Sequence, residues 1–155
     1  MALQVDMLET SFDAIAPRGE ELMDIFYQRL FELDPEVQRL FGGTDMAAQK
    51  KKLLSTLVLL RNSLRDPTQL VPALKGLGAR HAGYGVAPEH YPVVGQALIS
   101  AMMEVAGPAW HPQYTGAWMD AYQLVQDTML EGASESLATS ASEEKPGFFK
   151  RLLGS

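Results

Sequence analysis

The sequence predicts an all-α domain of six to eight helices joined by short connections. Three observations carry that reading. Apolar residues recur at three- and four-residue spacings in run after run, the mark of helices with one buried face. Proline and glycine fall between those runs, where they act as punctuation. No stretch sustains period-two alternation, and no Asn-Gly or similar turn joins two β-branched runs. The chain has 155 residues, the length of one domain. No apolar run approaches about 18 residues, so no membrane span is expected.

Each element follows from local chemistry. Leu8, Phe12 and Ile15 define a first helix that stops before Pro17. From Pro17, the run "PRGEELMDIFYQRLFEL" sets Leu22, Ile25, Phe26, Leu30 and Phe31 along one stripe. Asp34 followed by Pro35 reads as an N-cap and a first-turn proline opening a short helix that ends near "RLFGG". Thr44 or Asp45 caps the next helix, whose stripe is Leu53, Leu57, Leu60 and Leu64. Asp66-Pro67 is a break, and the helix through "LVPALKGLGARH" is expected to be entered at Pro72. Gly83, Gly85 and Pro88 make a corner before the long helix "PEHYPVVGQALISAMMEVAG". Pro108 and Pro112 bracket the next turn, and a last long helix runs from about Pro112 to about Leu137. Residues 1–139 form the domain, and 140–155 read as a polar linker and a short amphipathic tail. There Phe148, Phe149, Leu152 and Leu153 flank Lys150 and Arg151. That tail either frays or docks back, or it touches a membrane surface or a partner.

Composition excludes several chemistries. There is no cysteine, which removes disulfide frameworks, zinc-thiolate sites, cysteine-ligated iron–sulfur clusters and thiol nucleophiles. It also fits a reducing cytoplasm, the expected location, and "MALQVDMLET" lacks the features of a signal peptide. The formal net charge of −6 argues against nonspecific nucleic-acid binding, which needs a basic face. Glycine-rich phosphate loops and nucleophile elbows are missing.

The chain has three histidines: His81, His90 and His111. His90 and His111 fall at a helix start and a turn, where exposed or capping roles are expected. His81 differs. Leu77 and Leu74 lie four and seven residues before it and share its face, so that face is apolar. Gly78 lies on the same side and either leaves room for a bulky group or allows close helix packing. A neutral imidazole there needs partners for both nitrogens: a metal on one and a backbone carbonyl on the other would satisfy it. A lone histidine holds a simple aqueous metal poorly. It can hold iron in a porphyrin, where the macrocycle supplies four ligands.

At these residues the chain resembles the bacterial single-domain globins and the haem domain of flavohaemoglobins, from about residue 4 to about residue 137. "DIFYQRLFELDPEVQRLFG" resembles the second and third helices of that family, with Tyr27 as the distal tyrosine and Phe41 as the phenylalanine that wedges against the porphyrin. "RHAGYGVAPEHYPVVGQAL" resembles the proximal signature, with His81 as iron ligand, Val86 packed on the ring and Tyr91 near the histidine. Trp118 and Tyr122 match the last helix. The best match across the stretch after Phe41, which is about two residues shorter than in flavohaemoglobins, puts Gln49 at the distal position and Leu53 one turn later. Leu77 and Val94 complete the expected cofactor contacts.

The resemblance implies a globin fold holding haem b and reversible binding of dioxygen, nitric oxide and carbon monoxide. Oxygen on ferrous iron is a good hydrogen-bond acceptor, so donors from Tyr27 and Gln49 imply slow release and high affinity. A nitric oxide dioxygenase served by a separate reductase is the alternative activity, because no flavin or nicotinamide domain lies within the 155 residues. A gas sensor acting through a partner is a variant of the first reading; a haem-free helical regulator is a third, against which His81, Phe41 and Tyr27 together argue. A monomer or homodimer is expected. One departure stands out. The proximal glutamate of flavohaemoglobins falls on Ala133, with Glu131 and Glu135 two residues to either side, which argues against peroxidase-like electron push. Lys50, Lys51 and Lys52 read as a solvated face, or one of them, or Arg80, reaches a haem propionate.

Overall fold

The computed structural model describes residues 3–154, with side chains through residue 137 apart from Pro67. Among the described residues there are seven α-helices and no strand: α1 Val5–Ile15, α2 Gly19–Leu33, α3 Pro35–Arg39, α4 Met46–Asn62, α5 Pro67–Gly83, α6 His90–Ala106 and α7 Pro112–Gly154. Short 3-10 turns at Ala16–Arg18 and Gly107–Ala109 join α1 to α2 and follow α6. The side chains of residues 138–155 lie outside the described ones, and with them the tail contact expected of Phe148, Phe149, Leu152 and Leu153. No described helix is long and apolar enough to cross a membrane.

Aspartates begin three of the helices. Asp34 accepts from the backbone N–H of Glu36, and Asp45 accepts from those of Ala47 and Ala48, satisfying donors a helix start leaves free. Asp66 caps α5 in the same way, through the N–H of Thr68. That cap moves the entry of α5 from Pro72 to Pro67. Pro67 takes the first-turn position, where its missing N–H costs nothing, and Pro72 then lies inside the helix.

The main core joins α1, α2, α6 and the first half of α7. Leu8, Phe12, Ile15, Leu22, Met23 and Met102 are fully enclosed there. One polar pair is threaded through it. Trp118 Nε1 donates to Ser11 Oγ at 2.8 Å, and Ser11 donates to the Met7 carbonyl at 2.6 Å, so neither buried polar group is left unpaired.

A second, smaller cluster of Leu70, Leu74, Tyr91 and Met129 holds α5 to α7 and α6. Here α5 and α7 cross backbone to backbone. A Cβ on Gly78 would sit 1.9 Å from the Met129 carbonyl oxygen, and one on Gly132 would sit 2.2 Å from that of Lys75. The missing side chain of Gly78 therefore makes room for α7. Of the two sequence readings of this glycine, close helix packing is the one the structure shows, and a bulky ligand does not occupy that space.

Candidate functional site

Between α4, α5, α6 and α7 lies a cavity of about 1180 Å³, counting its open mouth. Its walls are almost wholly apolar. Leu53, Leu57, Leu59 and Leu60 come from α4, Leu74 and Leu77 from α5, Val94 and Leu98 from α6, and Val125 and Met129 from α7. The polar exceptions are few: Thr56, Arg80, His81, His90 and the two tyrosines Tyr91 and Tyr122.

His81 stands in this wall on the last turns of α5, and its ring is fixed by geometry. Its Nδ1 lies 2.7 Å from the Leu77 carbonyl oxygen, one helical turn back. A carbonyl only accepts, so Nδ1 carries the hydrogen and donates it. In the neutral ring, Nε2 then bears the lone pair. Burial disfavours the charged form and pulls the His81 pKa below the usual histidine value; the Leu77 hydrogen bond opposes this and the nearby Arg80 charge adds to it. A neutral histidine of set tautomer, in an apolar cavity, is a preformed nitrogen ligand.

The rest of the proximal wall is built around it. The corner after α5 turns at Gly85, whose φ of +87° is strained for any residue with a side chain. It brings Val86 into the cavity lining. Tyr91 is buried beside it, and burial raises its hydroxyl pKa. Tyr122 on α7 donates from its hydroxyl to the Tyr91 carbonyl at 2.5 Å. His90, expected to be exposed or capping, does bond the backbone at the start of α6, but it also faces the cavity. Its ring lines the cavity while Nδ1 accepts the backbone N–H of Ala87 at 2.9 Å. His111 is exposed.

Six of the seven cofactor contacts expected from sequence therefore line this cavity: Leu53, Leu77, His81, Val86, Tyr91 and Val94. Tyr27, Gln49 and Phe41 form a separate group beside it. Tyr27 is buried, with Phe26, Phe31 and Phe41 around its ring at centroid distances of 4.8, 5.9 and 5.7 Å. Gln49 Nε2 donates to the Tyr27 hydroxyl at 3.2 Å. Burial raises the Tyr27 pKa, against a smaller opposing effect of that hydrogen bond, so the hydroxyl keeps its proton. Sequence neighbours tie the pair to the cavity. Phe26, one residue before Tyr27, and Leu53, one turn after Gln49, both line it. The sequence stripe grouped Phe26 with the core and missed its place in the wall. It likewise missed His90 and Leu59.

The charged candidates separate cleanly. Lys50 pairs with Asp24 at 2.9 Å, while Lys51 and Lys52 are exposed. Arg80 is exposed and borders the cavity. Glu131 and Glu135 both bind Lys75, at 3.1 and 3.0 Å, on the outer face of the α5–α7 crossing.

The site is thus an apolar cavity in an all-helical domain, with two histidines in its wall, of which His81 keeps a free ring nitrogen in a set tautomer. Comparison with known proteins agrees. The globin family model matches residues 24–129, and the chain belongs to the globin family. It is 27% identical to a flavohemoprotein of Bacillus subtilis over 146 residues, covering 93% of this chain and 36% of that protein. It is 32% identical to a flavohemoprotein of Chromobacterium violaceum over 139 residues, covering 87% of this chain and 34% of that protein. The chain thus spans about a third of the length of the curated relatives it matches. Among solved structures, it resembles an engineered carbene transferase from a candidate nitric oxide dioxygenase of Rhodothermus marinus, with 28% identity, a TM-score of 0.79 and coverage of 88% and 95% of the two chains. A bacterial globin of Campylobacter jejuni shares the fold, with a TM-score of 0.74 at 22% identity over 85% of this chain and 95% of that one.

Globin membership implies haem, and the cavity fits the group on its own evidence. Its walls are apolar, and its half-buried His81 presents a lone pair on Nε2.

Proposed function

We propose that the chain binds haem b in this cavity through His81 and reversibly holds dioxygen and related diatomic gases. The observation that carries the reading is the His81 Nδ1–Leu77 hydrogen bond, which leaves Nε2 as the ligating nitrogen in an apolar wall. Haem b supplies an iron that takes small neutral gases. Leu53, Leu77, Val86 and Val94 would hold the faces of the ring and keep water away. Arg80 and His90, at the polar edge of the cavity, would meet its carboxylates.

Tyr27 and Gln49 have distinct tasks in this reading. Gln49 donates to the Tyr27 oxygen, so the Tyr27 proton is left to point at a ligand. Gln49 is then chiefly a holder of that hydroxyl, whereas the sequence reading had both donating to the ligand. A single net hydrogen bond in a water-poor pocket contributes about 1 kcal/mol or more, so removing the Tyr27 hydroxyl should speed oxygen release roughly tenfold. Stopped-flow oxygen displacement from Tyr27→Phe checks this. A dissociation rate equal to that of the unaltered protein would overturn the distal assignment.

A nitric oxide dioxygenase activity, with electrons from a separate reductase, is the second reading. It is favoured by the ordered Tyr27–Gln49 pair and by the names of the flavohemoprotein and Rhodothermus relatives. Sustained nitric oxide consumption under oxygen, with a reductase and its nicotinamide donor supplied, supports it. Consumption that stops after one equivalent contradicts it.

A further inference from the structure

Besides the cavity, a groove of about 950 Å³ opens to solvent between α6 and α7. One described residue lines both spaces, and it is Tyr122. Helix α6 serves the two on adjacent faces, with Val94 and Leu98 toward the cavity and Gly95 and Ile99 toward the groove. Where α6 meets α7, the partition therefore comes down to the Tyr122 ring.

That ring is pinned without being encased. It rests on Gly95, where an added Cβ would fall 2.6 Å from its Cδ2 and Cε2 atoms, so only glycine seats it there. Its hydroxyl is tied to the Tyr91 carbonyl. The residue nevertheless stays half-buried, because it borders empty space on two sides. The groove side is uncharged: Ile99, Met103 and Met119 supply its apolar surface, and glutamines with Ser100 and Thr115 supply the remainder. A neutral diatomic molecule loses little on leaving water for such a passage, whereas an anion would have to shed its hydration with no cation to receive it. With empty space on both sides, the ring has room to move once its bond to the Tyr91 carbonyl opens.

We propose that the α6–α7 groove binds small neutral gases and that Tyr122 is the gate through which they enter the cavity, by a path separate from the Tyr27–Gln49 side. The proposal rests on the haem reading above. It is tested on the haem-loaded ferrous protein in its diamagnetic carbon monoxide form. Nitrogen–proton correlation spectra under xenon pressure should show shifts concentrated at the amides of Gly95, Ile99 and Met119. Laser photolysis should show Tyr122→Ala rebinding carbon monoxide about threefold faster or more, as expected when a gating side chain is removed. Met119 is 58% exposed, so Met119→Trp can fill the groove without entering the core, and it should slow rebinding. Unmoved groove amides under xenon, or wild-type rebinding rates in both variants, would overturn the gate. A chain that takes up no haem would overturn both readings, and it is recognised separately by the absence of a carbon monoxide Soret band.

Discussion

The two halves of the domain use leucine in opposite ways. In α1 and α2, Leu8, Leu22 and Leu30 are enclosed by other side chains of the same protein. In α4 and α5, Leu53, Leu60 and Leu77 are half-buried and Leu59 is 51% exposed, and all four line the cavity. The first half is complete as protein. The second packs part of its surface, through Leu57, Leu70 and Leu74, and leaves the rest open on the cavity. Full burial of a leucine side chain is worth roughly 1.5–3 kcal/mol, so the α4–α5 wall holds back a stabilisation that only a large apolar guest can release.

This contrast can be broken or sharpened by substitution. Leu22→Ala removes an enclosed side chain and should cost about 2–5 kcal/mol in denaturant unfolding, with or without haem. A cost that depends on haem would contradict the division. Gly78→Val forces a side chain against the Met129 backbone and should cost about 1–3 kcal/mol or more, because neither helix can yield without parting α5 from α7. Its haem uptake should weaken in parallel, since His81 rides on α5. Leu59→Ala should change the stability of the haem-free protein by less than about 1 kcal/mol, as its side chain is already half-exposed, yet speed haem loss to a scavenging apoprotein severalfold. Equal effects on both would mean that Leu59 does not face the ring. Lys75→Ala breaks an exposed bridge to Glu131 and Glu135, and its melting temperature should match the unaltered protein within error.

The same contrast explains what was legible in the sequence. Helix starts could be read because Asp34 and Asp45 cap by a local rule that needs no tertiary partner. Pro72 misled because a proline inside a helix looks like a start, and the Asp66 cap nearer the N-terminus prevails. The apolar face of His81 followed from four- and seven-residue spacing, and a backbone carbonyl partner from the needs of a neutral imidazole, while its identity as that of Leu77 required the structure. Gly78 stayed open between two readings, because the α7 backbone that fills its space lies some 50 residues away in sequence. Phe26 and His90 were missed for a related reason: a stripe identifies the buried face of a helix but says nothing about whether protein or cavity lies against it. Gln49 was placed by resemblance, while its bond to Tyr27 required the distance between α2 and α4.

The central claim is that His81, of the two histidines in the cavity wall, holds haem. Haemin titration followed by absorption spectroscopy tests it most directly, on the unaltered protein, His81→Ala and His90→Ala, each recorded ferric, reduced and with carbon monoxide. The account predicts one haem per chain, with a sharp Soret band that shifts on adding carbon monoxide. That band should be lost or displaced in His81→Ala and kept in His90→Ala. An unaltered protein that takes up no stoichiometric haem, or a spectrum that survives the loss of His81 and collapses with the loss of His90, would contradict it.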